Sequence, residues 1–127
     1  MQTIDQQYSI AVHKQVLEIK KDPDYRKYGA MAHKLPILIH TAGLVQALEF
    51  VNSRGNTIQK RLLEHLAVTI GKNNTETLLD AARSRNLSNY MLLTRQVLSA
   101  LLWYKRFAQS ILEVHATESA TGNEGKL

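Results

Sequence analysis

Apolar residues recur along this chain at three- and four-residue spacing, the signature of helices with one buried stripe. Ile4, Tyr8, Ala11, Val12 and Ile19 mark a first helix over roughly 3–21, and Thr3 with Gln6 three residues on can form a capping box. Asp22-Pro23-Asp24 supplies an N-cap, a proline at the first helical position and an acid beside the positive helix end. The second helix, roughly 24–39, carries Tyr28, Ala32, Leu35 and Ile39 on one side. Pro36 removes a backbone donor there and predicts a kink.

Gly43 marks the next break, followed by a third helix with Leu44, Ala47, Leu48 and Val51 inward, up to a turn at 52–56. Thr57 is placed to cap a fourth helix with Ile58, Leu62, Leu66 and Ile70 inward, which Gly71 ends in the left-handed conformation. Asn73 or Asn74 starts a short fifth helix. A sixth and longest, about 88–114, aligns Tyr90, Val97, Leu101, Tyr104, Ala108 and Ile111. The pattern predicts an all-α, compact single-domain bundle of about six helices over 1–115. Residues 116–127 are almost devoid of apolar side chains, cannot repay the entropy of ordering, and are expected to form a flexible tail.

Composition narrows the function. With 127 residues and no cysteine, the chain can bury a core but has no disulfide, thiolate metal site or cysteine nucleophile. No stretch approaches a membrane span and no secretion signal opens the chain, so a cytoplasmic location is expected. Lys and Arg number 16 against 11 Asp and Glu, a formal charge of +5 that favours polyanionic partners.

No spacing of catalytic or metal-ligating groups emerges, and neither metal nor cofactor is expected. His13, His33, His40, His65 and His115 include no pair three or four residues apart, so none forms a helical metal-binding pair. Adjacent on a helix, Glu64 and His65 point about 100° apart and cannot act as a dyad. Gly71-Lys72 lacks the remainder of a phosphate-binding loop. A hydrolase would need carboxylates and histidines gathered from distant segments. The turn at Gly55 between two helices leaves a helix-turn-helix DNA-binding alternative.

The positive charge is segregated. Between Ala81 and Leu112 the charged residues are Arg83, Arg85, Arg95, Lys105 and Arg106, without a carboxylate. Arg95 and Arg106 lie eleven residues apart, about three helical turns, and so align as a ridge that Lys105 flanks. A second acid-free window, Tyr25 to Leu48, holds Arg26, Lys27, His33, Lys34 and His40; facing the same way, the two windows would make a groove. Such cations suit phosphates, and Tyr25, Tyr90 or Trp103 could stack on bases. The plainer alternative is that these are solvated helix faces, with Trp103 and Tyr104 in the core or an interface.

Tyr28-Gly29, Lys34-Leu35-Pro36 with Ile39, Gly43-Leu44, Gln46-Ala47-Leu48 with Phe50, Tyr90 with Leu93-Thr94-Arg95, and Trp103 with Lys105-Arg106-Phe107-Ala108 follow one another in an order and spacing that covers about residues 25–110. In this the chain resembles the small α-helical subunit of the type III-B CRISPR effector, the Cmr RNA-silencing complex. The resemblance implies a non-catalytic subunit that stacks with copies of itself in a short filament, beside subunits carrying the guide RNA, and helps hold the target RNA. By motif position it makes Lys34, Arg95, Lys105 and Arg106 candidate phosphate contacts. Arg26, Lys27, Arg54, Arg61, Arg83 and Arg85 rest on charge distribution alone. The competing reading is a structural spacer whose basic residues meet acidic protein surfaces.

Overall fold

The computed structural model describes residues 2–84 and 86–116, so Arg85 and, beyond its first residue Ala116, the tail expected over 116–127 lie outside the described residues. Six helices follow one another: α1 (Ile4–Ile19), α2 (Tyr25–Ala42), α3 (Leu44–Arg54), α4 (Thr57–Thr69), α5 (Thr75–Ala82) and α6 (Leu87–Ser110). No strand occurs among the described residues. The expected all-α bundle is thus observed, with α6 packed along α1 and α2, and α3, α4 and α5 closing the other side.

The inward residues are largely those the periodicity marks. Tyr8, Val12, Val16 and Ile19 of α1 are buried, as are Tyr28, Leu35 and Ile39 of α2, Leu44, Leu48 and Val51 of α3, and Leu62 and Leu66 of α4. Ile4 is a correction: it lies at the first position of α1 with 66% of its surface exposed, and the buried stripe runs instead through Tyr8, Val12, Val16 and Ile19. Tyr28 and Tyr104 are fully buried at the centre, ring centroids 6.4 Å apart.

Local chemistry sets the boundaries. The Thr3–Gln6 capping box forms as expected. In the fourth helix Asn56, not Thr57, is the cap: its Oδ1 accepts from the Gln59 amide at 2.9 Å and Gln59 Oε1 accepts from the Asn56 amide at 3.1 Å. Asn at the cap with an amide at the third position answers two donors reciprocally, leaving Thr57 as the first helical residue. Pro23 also falls outside its helix. The Asp22 carboxylate accepts from the Asp24 amide at 2.8 Å, making a turn of these residues before α2 starts at Tyr25. Further on, α2 continues through Pro36 to Ala42 and ends at Gly43, whose φ of 91° few other residues adopt. Gly71, at φ 89°, follows α4 as its spacing predicts.

The last helix ends earlier than its apolar pattern suggests. After Ser110 the chain turns, Glu113 takes a left-handed φ of 58°, and the Val114 amide donates to the Ala108 carbonyl at 2.9 Å. This return buries Leu112 and Val114 against the bundle. Val114 lies over Gly29 of α2, where any Cβ would come within 2.9 Å of its side chain, and its carbonyl sits 2.8 Å from His33 Nε2. Leu112 and Val114 therefore continue the apolar pattern beyond the end of the helix that began it.

Candidate nucleic-acid interface

The inward stripe of α6 runs through Leu93, Val97, Ala100, Leu101, Tyr104 and Ala108, which turns the opposite side of the helix to solvent. Arg95 and Arg106 lie on that side, both exposed, within about 20° of each other round the helix and about 16 Å apart along it. Lys105 is half-buried at the edge of the same face. Among the described residues, no carboxylate lies within 4.0 Å of any of the three. Met91 and Leu102, exposed at 47% and 44%, share this face, so the ridge is interleaved with aliphatic surface.

Arg106 is held in a particular pose. Its guanidinium lies 4.7 Å from the centroid of the Trp103 ring, at the distance of a cation–π contact. That indole is itself anchored: its Nε1 donates to Asp5 Oδ1 of α1 at 2.9 Å, and Phe107 stacks with it at 5.8 Å and 29°. His13 of α1 meets Phe107 edge-on at 5.3 Å.

The cations of α2 are arranged differently. Lys34 reaches over the Phe50 ring of α3, with Nζ 5.7 Å from its centroid. His33, one residue and about 100° away, faces the segment that follows α6. Lys34 thus sits on the flank of α2 that meets α3. Lys27 lies 4.0 Å from Asp24, and the Arg26 guanidinium is 5.4 Å from the Tyr25 ring.

Arg83 leaves the acid-free stretch altogether. Its guanidinium donates to both carboxylate oxygens of Glu49 in α3, at 3.0 and 3.1 Å, and to Asp80 of α5 at 3.0 Å. The absence of acids along the chain around it is overridden by tertiary neighbours. Arg54 and Arg61 are exposed, in the last turn of α3 and on α4.

The histidines stay dispersed. His33 is buried, His65 half-buried and His13, His40 and His115 exposed, and among the described residues no group of three or more His, Asp or Glu could hold a metal ion. Glu64 and His65 diverge, as their adjacency on a helix predicts. Glu64 accepts from the Thr75 amide and hydroxyl at 3.1 and 2.7 Å, bonds that hold its carboxyl below the usual range. His65 turns inward to the Tyr28 hydroxyl, 2.7 Å from its Nδ1. Burial and the neighbouring Arg61 charge lower its pKa to about 4, so the ring is neutral at physiological pH. No helix among the described residues is long and apolar enough to cross a membrane.

Sequence reasoning missed the Asp5–Trp103 anchor, which joins residues 98 positions apart. The one signal available was a tryptophan three residues before an arginine on a helix, the spacing at which the two side chains become neighbours.

Comparison with known proteins agrees with this architecture. Residues 4–111 match the model of the family described as CRISPR-associated protein (Cas_Cmr5). The chain is 42% identical over 113 residues to the CRISPR system Cmr subunit Cmr5 of Thermus thermophilus, covering 89% of this chain and 99% of that protein. The X-ray crystal structure of a Cmr5 family protein from the same organism superposes with a TM-score of 0.84 at 42% identity, over 87% of this chain and 98% of that one. With six helices in a bundle that matches across nearly its whole length, the chain belongs to the Cmr5 family of CRISPR-associated proteins and is a subunit of a Cmr complex.

Proposed function

We propose that this chain is a non-catalytic small subunit of an RNA-guided Cmr effector in the cytoplasm. It stacks with its own copies and the other subunits along the complex, and helps hold guide and target RNA by their backbones. The observation that carries the RNA reading is the pairing of Arg95 and Arg106 three turns apart on the solvent face of α6, with no described carboxylate in ion-pair range. An arginine that serves the fold is engaged, as Arg83 is by Glu49 and Asp80. A guanidinium with no described carboxylate partner, such as Arg95 or the Arg106 group posed over Trp103, keeps planar N–H donors suited to phosphate oxygens.

Lys105 extends this ridge, and Arg26, Lys27 and Lys34 of α2 offer further phosphate contacts. Backbone contacts carry no base information, which suits a system whose sequence discrimination comes from guide pairing. One observation favours the spacer reading: Met91 and Leu102 interrupt the ridge with aliphatic surface that a phosphate backbone does not use. Crosslinking RNA to this chain inside the assembled complex separates the two. RNA-linked peptides containing Arg95 or Arg106 support binding; crosslinks confined to other subunits support the spacer.

A further inference from the structure

Arg106 is exposed on the outer side of α6, yet its guanidinium has a fixed neighbour, the Trp103 ring, 4.7 Å away at the centroid. Among the described residues Arg95, on the same face, has no such ring contact. The hold of an aromatic ring on a cation is only as firm as the hold on the ring. Two neighbours fix this one. Phe107, one turn on along α6, stacks with it at 5.8 Å and 29°, and Asp5 Oδ1 accepts from its Nε1 at 2.9 Å. Only Asp5 comes from another helix, and its bond to the indole is charge-assisted, the stronger class.

We propose that Asp5 is a positioning residue for RNA: from α1 it holds the indole that holds the Arg106 guanidinium ready for a backbone phosphate. The inference rests on the RNA-binding reading above and extends it to a residue that itself touches no RNA. A cation–π contact uses none of the guanidinium N–H donors, so Arg106 keeps them for phosphate oxygens while its long side chain is already ordered. Ordering such a side chain only on binding costs roughly two- to tenfold in affinity. The sign of the effect is diagnostic. Asp5 places a negative charge beside a basic ridge, so by charge alone its removal would tighten RNA binding. Positioning predicts that its removal weakens binding.

Trp103 is the only tryptophan in the chain, so a single indole N–H resonance reports on the anchor. That proton should exchange slowly with water in the wild type, fast in Asp5→Ala, and slowly again in Asp5→Asn, whose side-chain carbonyl still accepts. In the assembled complex, Asp5→Ala should weaken target capture roughly two- to tenfold with an unchanged salt slope, because Arg106 still reaches its phosphate. Asp5→Asn should bind at least as tightly as the wild type. In an Arg106→Ala background, Asp5→Ala should weaken capture no further, which separates positioning from a general structural loss. The positioning role is overturned by equal indole exchange in Asp5→Ala and wild type, by wild-type affinity of Asp5→Ala, by an Asp5→Asn complex as weak as Asp5→Ala, or by an equal loss with and without Arg106. In each of these cases a weaker, shallower-sloped Arg106→Ala complex leaves the RNA reading standing. An Arg106→Ala complex with wild-type affinity and slope overturns the positioning role together with Arg106 as a phosphate contact.

Discussion

The Tyr28 hydroxyl lies 2.7 Å from Nδ1 of His65 and joins α2 to α4 inside the bundle. Nearby, Gln15 of α1 bonds the His65 carbonyl at 3.3 Å and Thr69 at 3.1 Å, and the Tyr104 hydroxyl of α6 reaches both Gln15 and Thr69. Four helices thus meet through partly buried polar groups that answer one another. Removing one partner strands another, at a cost of about 1–3 kcal/mol. Tyr28→Phe should therefore lower the melting temperature by about 4 °C or more while the helical circular dichroism stays unchanged. An unaltered melting temperature would mean that water satisfies His65.

The same imidazole predicts a pH dependence. His65 has a folded pKa of about 4 against an ordinary value of 6.5, so the unfolded chain takes up the proton first as pH falls. Its contribution to stability is present above about pH 6.5, declines as pH drops toward 4, and falls no further once both states are protonated. Thermal melts across this window should show a smaller acid loss for His65→Gln than for the wild type. Parallel curves would show that the ring does not charge on unfolding.

Gly29 is the point where the returning C-terminal segment comes closest to α2. A Cβ there meets both Cβ and Cγ2 of Val114 at 2.9 Å. Gly29→Ala gains helix propensity but must push Val114 outward, and overpacking of this kind costs about 1–3 kcal/mol. The variant should melt lower than the wild type, and adding Val114→Ala should recover part of the loss. Equal melting of Gly29→Ala and wild type would show that the segment lifts away at little cost.

Most of the fold was legible because helix periodicity and caps are local. The Thr3–Gln6 box, the break at Gly43, the positive φ at Gly71, and most inward residues of α2 through α4 follow from spacing. What was not legible depends on neighbours far along the chain. Arg83 reads as one of a run of unopposed cations until Glu49, 34 positions earlier, appears beside it. The last helix reads on to about 114 with Ile111 inward, but the chain leaves the helix after Ser110 and buries Leu112 and Val114 through a turn at Glu113 that no period encodes. The ridge itself was visible as an eleven-residue interval; the indole and the carboxylate that pose Arg106 were not.

The dispersed histidines and carboxylates predict that the purified chain does not cleave RNA or DNA in magnesium, manganese or zinc. Gel assays on labelled strands check this. Cleavage that follows the protein through purification and disappears when one carboxylate is replaced would contradict it.

The central claim is that the solvent face of α6 touches RNA phosphates, and the salt dependence of target capture by the assembled complex tests it most directly. Each single-strand phosphate contact contributes about 0.7 to the log–log salt slope, so replacing Arg95, Lys105 and Arg106 together by Ala should shallow it by about 2. The loss should be similar for unrelated targets with matched guides. Arg83→Ala, which removes an equally basic residue engaged by Glu49 and Asp80, should leave the slope unchanged. A triple variant that assembles normally and retains the wild-type slope would contradict the account.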